Sequence, residues 1–437
     1  MNNYAFLFPG QGSQYVGMGK KWLGSHAAVR HTFDEASSVL GYDLAKLCLE
    51  GPADTLMQTE YAQPAILTVS KAAYDVFVEE SGIVPVVMAG HSLGEFSALV
   101  CAGAIAFADA VQLVRQRGRF MQEAVGLGAG AMSAITGASE EAVQTVCRQI
   151  SGQGKGGSVV ISNYNSPDQL VISGHKAAVV QAGEELARIG ATVITLKVSA
   201  PFHSPLMEPA AVRLRKELGT YTYFPLRCPV ISNVTARVYS SHTDIAATLS
   251  AQMTHPVRWV ESMRAAADYG ITAAVELGPQ AVLRNFMRRL APEVQASAYD
   301  KEEDAEVLRL RVRSDMQGAS SSRSAGSHED LLSRCLTVAV STKNRNDDHE
   351  EYETGVVMPY RKAMKLHDEL QQVNAPVLDE HEKQGLLMLH TVFEAKRTPQ
   401  PERAARYRQL LNETGQAPKW NDYVSELLQL EGWFRHG

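Results

Sequence analysis

Cysteine is scarce and poorly placed for either of its structural uses. Cys48, Cys101, Cys147, Cys228 and Cys335 are scattered, odd in number and form no C-x-x-C pair. That spacing excludes a disulfide scaffold or a thiolate zinc site and suits a reducing cytoplasm. Clustered positive charge is missing too. The net charge is -6 and the isoelectric point is near 6.1, with no basic stripe, which argues against a nucleic-acid partner. The N-terminus runs Tyr4-Ala5-Phe6-Leu7-Phe8 and breaks at Pro9-Gly10. It lacks the basic start and apolar length of a signal peptide. The longest apolar region, Val84 to Ala110, is interrupted by His91, Glu95 and Asp109. It reads as strand plus helix, not as a membrane span. The expectation is a soluble, cytoplasmic protein without a membrane partner. No internal repeat is present. Gly126, Gly128 and Gly130 precede a strand, not a helix, and read as a domain hinge. Residues 152–157 hold a lysine among glycines without a phosphate-binding frame and read as a mobile loop.

What the chain does have is length and apolar content. Its 437 residues, 45% hydrophobic, predict two to three domains and a large core. Residues 4–8 read as a buried strand, helical patterns follow at about 25–40 and 65–81, and a strand is expected at 84–89 before a helix after Ser92. This alternation predicts a mainly parallel α/β sheet. From residue 129 the pattern changes to short strands at 131–135, 159–162, 169–173 and 191–198, with helices at 139–150 and 176–189. That β-α-β-β-α-β order is ferredoxin-like and is inserted into the larger domain. The α/β character resumes near 199 and continues to about 313, with strands around Val230-Ile231 and in Ala273 to Pro279, the latter ending in a turn. Residues 314–328 are polar and serine-rich and read as a linker. Residues 329–437 follow helical spacing, with Ala363, Leu366, Leu370 and Val373 on one face and Leu386, Leu389, Val392 and Phe393 on another.

Gly90-His91-Ser92-Leu93-Gly94 is a G-x-S-x-G pentapeptide after the 84–89 strand and before an alanine-containing helix. Strand, glycine-flanked serine and helix in that order describe a nucleophile elbow. An ordinary Gly/Ser turn shares the composition, so context decides. A serine hydroxyl needs a base within hydrogen-bond reach. His203 is the best candidate of the thirteen histidines, because Pro201 and Pro205 fix its loop just after a strand end. His91 reads as structural and His255, before Pro256, as a packing residue. The backbone N–H groups of Gln11 and Leu93 are candidates for a two-donor oxyanion hole, since loops after parallel strands gather at one sheet edge. Gln11 equally suits a plain glycine-rich turn. Arg117 lies among three arginines on a later helix. It either faces the pocket and takes a carboxylate through both arms or lines a solvated face.

Phe8-Pro9-Gly10-Gln11-Gly12-Ser13-Gln14, Gly90-His91-Ser92-Leu93-Gly94-Glu95, Arg117-Gly118, Phe202-His203-Ser204 and Glu276-Leu277-Gly278-Pro279 appear in this order. Together they resemble the malonyl-CoA:acyl carrier protein transacylases, from residue 1 to about 300. The resemblance implies a hydrolase-like α/β domain carrying the ferredoxin-like insertion. It implies Ser92 as nucleophile, His203 as base, Gln11 and Leu93 as the oxyanion hole and Arg117 as the clamp on the malonyl carboxylate. It further implies that the main-chain carbonyl of Gln252 orients His203. The implied reaction moves a malonyl group from malonyl-CoA through a malonyl-Ser92 ester to the phosphopantetheine thiol of a holo-acyl carrier protein. The coenzyme A thioester is substrate, and no bound cofactor or metal is expected. Phe202, beside the base, is expected to crowd an α-methyl branch and favour malonyl over methylmalonyl.

Residues 329–437 lie outside that resemblance. An appendix of this kind is more at home in a polyketide pathway, where a free-standing acyltransferase loads carriers of synthases lacking their own, than in housekeeping fatty acid synthesis. Trp420, Tyr423, Trp433 and Phe434 read as core or as a docking face, and His381, Glu382 and His390 have no metal-binding spacing. Two other functions fit the chain: a hydrolase that clears stalled acyl groups from carriers, and a non-catalytic scaffold built on the C-terminal region.

Overall fold

The computed structural model describes residues 2–124, 126, 128–152, 157–196, 198, 200–322, 331–346, 348–372 and 377–429. They form two compact units, 1–316 and 317–437. The first unit is built on a five-stranded parallel sheet. Its strands are β1 (Tyr4–Phe8), β2 (Val87–Gly90), β7 (Val230–Ile231), β8 (Ala273–Glu276) and β9 (Gln295–Ala298), ordered β7-β2-β1-β8-β9. Both faces of β1 are covered. Tyr4, Phe6 and Phe8 enter one apolar cluster, while Ala5 and Leu7 enter the cluster on the opposite face. A strand buried on both sides reads as an unbroken apolar run, and this is why residues 4–8 announce themselves. The 84–89 strand begins later than expected. Val84 is 62% exposed and pairing starts at Val87, because Pro85 has no N–H to give to a ladder.

The ferredoxin-like insertion consists of β3 (Gly130–Thr136), β4 (Val159–Ser166), β5 (Gln169–His175) and β6 (Thr192–Thr195), with helices Glu140–Gly152 and Lys176–Arg188. Its strands are antiparallel in the order β4-β5-β3-β6. Backbone bonds tie β4 to the larger sheet's side of the unit: the Tyr164 N–H donates to the Val257 carbonyl at 2.9 Å, and the Val257 N–H to the Ser162 carbonyl at 2.8 Å. Residues 153–156, which hold the lysine among glycines, and Ser199 lie outside the described residues.

The stretch read as a linker differs from expectation. A helix runs from Glu302 to Ser322 and takes in residues 314–322. Three acidic residues in its first turn suit the positive end of the helix dipole, and Ala305, Leu308 and Val312 pack at helical spacing. Once that face is anchored, continuing through serines costs only a few tenths of a kcal/mol each, whereas starting a helix is the expensive step. The rest of the expected linker, 323–328, lies outside the described residues. So does Val373.

The second unit is helical, with Leu331–Ser341, Met358–Gln372, Asp379–Ala395, Gln400–Glu413 and Ala417–Gln429 as its main elements. Leu386, Leu389, Val392 and Phe393 are all buried in its core, as their spacing predicts. Trp420 belongs to that core and Tyr423 packs against it, while Trp433 and Phe434 lie outside the described residues. His390 is buried, and Glu382 accepts from the Trp420 indole N–H at 3.0 Å and from Lys419. No metal-binding cluster is found among the described residues, and no described helix is long and apolar enough to cross a membrane.

Candidate active site

The parallel register brings the first two motifs together. Phe8, the last residue of β1, pairs with Gly90, the last of β2, and the His91 N–H donates to the Phe8 carbonyl at 3.0 Å. The loop carrying Gln11 and the turn carrying Ser92 therefore leave the same sheet edge side by side. The turn tolerates no side chain on either flank of Ser92. A Cβ on Gly90 would lie 1.9 Å from the Gly94 carbonyl carbon, and one on Gly94 would lie 1.9 Å from the Phe8 oxygen. Ser92 itself has φ 51, ψ -103, an unfavourable backbone for a residue with a Cβ, directly before the helix Leu93–Cys101. This is the elbow geometry. Strain of this kind, about 1–3 kcal/mol, persists only where surroundings enforce it. Here Asn233 does so: its Oδ1 accepts the Ser92 N–H at 2.6 Å, and its Nδ2 donates to the Gly90 carbonyl at 2.7 Å.

The structure places His203 against the serine. Its Nδ1 lies 2.9 Å from the Gln252 carbonyl oxygen, which can only accept, so Nδ1 carries the proton. Nε2 is then an acceptor, and the Ser92 hydroxyl donates to it at 2.7 Å. His203 also has a positive φ, 56°, in a turn held by the Ser204 hydroxyl donating to the Pro201 carbonyl. Burial, helped by the Arg117 charge, pushes the His203 imidazole down from 6.5 to about 3. It is therefore neutral at pH 7. The folded value lies below the unfolded one, so stability is intact above pH 6.5. It is lost progressively as the pH falls from there toward 3, because only the unfolded chain takes up the proton. Serine labelling by a fluorophosphonate across pH 4–8 should accordingly show no histidine-like acid limb near 6.5. A half-maximal point there would show that the ring titrates normally.

Arg117 points inward and is 1% exposed. Nη1 donates to Gln63 Oε1 at 2.8 Å, while Nη2 donates to Gln252 Oε1 at 2.9 Å and to the Ser92 hydroxyl oxygen at 3.2 Å. Burial lowers it to about 10, so it stays charged at neutral pH. Its Nε has no partner. The edge formed by Nε and Nη2 is thus a two-pronged donor beside the serine with one prong unused. The solvated-face alternative for Arg117 is not what the structure shows. The backbone N–H groups of Gln11 and Leu93 meet no acceptor among the described residues. The Gln11 side chain donates instead to Thr59. Phe202 is buried in the main core cluster.

Two other histidines sort differently. His91 Nε2–H donates to Asn165 Oδ1 at 2.8 Å, and its ring lies against Trp259 and Phe286. These contacts fix the ring in place. His255 is exposed and its Nδ1 caps the Ala251 carbonyl at 2.7 Å. The packing role expected for it is wrong: the ring joins the Thr254 and His255 N–H groups, at 3.1 and 3.2 Å, on the Ala251 carbonyl at the end of the helix Ile245–Gln252.

Four participants were not anticipated. Gln63 sits on the helix Thr59–Ser81, which contains Pro64 and starts earlier than the periodicity from 65 indicates. Glu95, fully buried, accepts from Gln252 Nε2 at 2.7 Å, from the Asn233 N–H at 3.0 Å and from the Tyr239 hydroxyl. Burial pushes its carboxyl up, against those donors. A carboxylate inside the apolar stretch Leu93–Cys101 was the available signal for Glu95. Asn233 and Tyr239 carry no local signal at all.

Comparison with known proteins places the chain in one class. Residues 5–317 match the acyl transferase domain. A malonyl CoA-acyl carrier protein transacylase from Bacillus subtilis is 36% identical over 406 residues, 91% of this chain and 98% of that protein. The transacylase of the same name from Escherichia coli K12 is 45% identical over 302 residues, 69% of this chain and 97% of its own length. Among solved structures, the malonyl-transacylase of a type II polyketide synthase, in complex with its acyl-carrier protein, is 40% identical with a TM-score of 0.67. It covers 69% of this chain and 97% of that one. The chain belongs to the malonyl CoA-acyl carrier protein transacylase family. The Bacillus match is too long to stop at residue 317, so similarity extends into the helical unit, beyond the limit near residue 300 read from motifs.

Proposed function

We propose that this protein transfers malonyl groups from malonyl-CoA to the phosphopantetheine thiol of an acyl carrier protein, with Ser92 as the covalent carrier. The single observation that supports this best is the unpartnered Nε of buried Arg117, whose adjacent Nη2 lies 3.2 Å from the Ser92 oxygen. A fully buried guanidinium with an open edge is costly unless the reaction brings an anion to it. A malonyl group esterified to Ser92 ends in a carboxylate a few bonds away. Acetyl and other neutral acyl groups have nothing to offer that edge.

The chemistry follows from the proton positions. Ser92 Oγ attacks the thioester carbonyl as its proton passes to His203 Nε2. The Gln252 carbonyl holds Nδ1–H and favours the imidazolium that forms. The Gln11 and Leu93 N–H groups take the oxyanion, and the proton on Nε2 leaves with the coenzyme A thiolate. In the second half, His203 Nε2 takes the proton of the incoming pantetheine thiol, the sulfur displaces Ser92 from the ester, and Nε2 returns that proton to the departing Ser92 oxygen. Ping-pong kinetics follow from the single intermediate. Phe202, buried beside His203, is the residue we assign to exclusion of an α-methyl branch. The carrier belongs to fatty acid or polyketide synthesis.

Incubation with malonyl-CoA and a holo-carrier protein should give malonyl-carrier with release of free coenzyme A. Free malonate in place of malonyl-carrier would replace transfer by hydrolysis on the same serine.

A further inference from the structure

Arg117 has no direct carboxylate partner. Its positive charge is met by a relay: Nη2 donates to Gln252 Oε1, and Gln252 Nε2 donates in turn to Glu95 Oε2 at 2.7 Å and to the Ser92 carbonyl at 3.0 Å. The amide orientation is therefore dictated from both ends, with acceptors on its nitrogen side and a donor on its oxygen side. Glu95 Oε2 also accepts the Asn233 N–H. Both groups meeting Oε2 can only donate, so that oxygen is an acceptor whether or not the carboxyl is protonated. The other oxygen faces the Tyr239 hydroxyl, which can give or take a hydrogen bond.

We propose that Glu95 is a positioning residue for substrate selection: by fixing the Gln252 amide, it holds the open edge of Arg117 toward Ser92. A direct Arg117–Glu95 ion pair would occupy the donor edge that the substrate needs. Interposing an amide anchors the guanidinium and leaves Nε free. Without an acceptor at position 95, one of the two acceptors of Gln252 Nε2 is lost. The flipped amide then becomes accessible, and it turns an NH2 group toward the guanidinium, donor against donor. The proposal rests on the reading of Arg117 as the malonyl clamp.

The test compares Ser92 acylation by malonyl-CoA and acetyl-CoA in wild type, Glu95→Leu, Glu95→Gln, Tyr239→Phe and Arg117→Ala. Glu95→Leu should lower the malonyl-to-acetyl rate ratio about tenfold, the scale of one unpaired buried donor, with the loss in KM for malonyl-CoA. Glu95→Gln presents a carbonyl oxygen to the two obligate donors and its NH2 to Tyr239, and should recover most of the ratio. Tyr239→Phe loosens Glu95 from its far oxygen without touching Gln252, and should shift the ratio in the same direction but less. Equal slowing of both donors in Glu95→Leu would reduce Glu95 to a support for the elbow and overturn the proposal. An unchanged ratio in Tyr239→Phe overturns it if Glu95→Leu does not fold. If Arg117→Ala keeps the wild-type ratio, the clamp reading fails and this inference falls with it. If Arg117→Ala collapses the ratio while Glu95→Leu leaves it intact, only the role of Glu95 is lost.

Discussion

Ser92→Ala will carry no malonyl group after exposure to malonyl-CoA, while wild type gains one malonyl unit by intact mass. Removing the nucleophile of a serine–base pair typically lowers turnover by roughly 10⁴- to 10⁶-fold, because binding and oxyanion donors remain but no ester can form. The substitution is also a clean one. Alanine keeps the Cβ, so the φ 51 backbone held by Asn233 and the two glycines bears the same strain as before. What is lost is the hydroxyl that donates to His203 and accepts from Arg117. A variant that still gained a malonyl unit would move the acceptor elsewhere and leave the non-catalytic scaffold reading in play.

Arg117→Ala should have the second largest effect, and it should be selective. A hydrogen bond to a charged group contributes about 1.5–3 kcal/mol, so losing the clamp should slow malonyl acylation by about ten- to a hundredfold or more. Acetyl-CoA, which makes no use of that edge, should be affected far less. The Oε1 atoms of Gln63 and Gln252 lose their donor in this variant, which costs stability as well. Arg117→Lys is the sharper control. It preserves charge, but a single ammonium cannot meet Gln63, Gln252 and a carboxylate in the fixed fork of a guanidinium. Its malonyl preference should therefore stay well below wild type. Equal loss for both thioesters in Arg117→Ala would assign the residue to the elbow and not to the acyl group.

Much of this arrangement is legible in the chain because its causes are local. β1 reveals itself as five apolar residues, since a central parallel strand is covered on both faces. The elbow reveals itself as two glycines around a serine, since a Cβ at either place would strike backbone. Pro201 and Pro205 mark a stiff turn around His203. The ferredoxin-like insertion follows from an alternation of short strands and helices within a single stretch of chain. Family motifs then attached roles to Gln252 and Arg117 that periodicity alone leaves open.

The polar groups that support the site had no such signature. Asn233 is 141 residues from Ser92 and meets it only because β7 lies beside β2 in the sheet. Glu95 and Gln252 are 157 residues apart, and Gln63 reaches Arg117 from a helix that the proline at 64 disguised. At residues 314–322 the linker reading gives way to helix for the converse reason. Serine-rich composition describes local preference, but a helix already anchored by Ala305, Leu308 and Val312 runs on through residues 314–322. The sequence by itself determined the central strand, the strained turn around Ser92 and the stiff turn around His203, because short-range sterics act within a few residues. Only the tertiary structure decided which buried amides and carboxylate surround Arg117, because a polar group's partner inside a protein is set by strand order and not by distance along the chain.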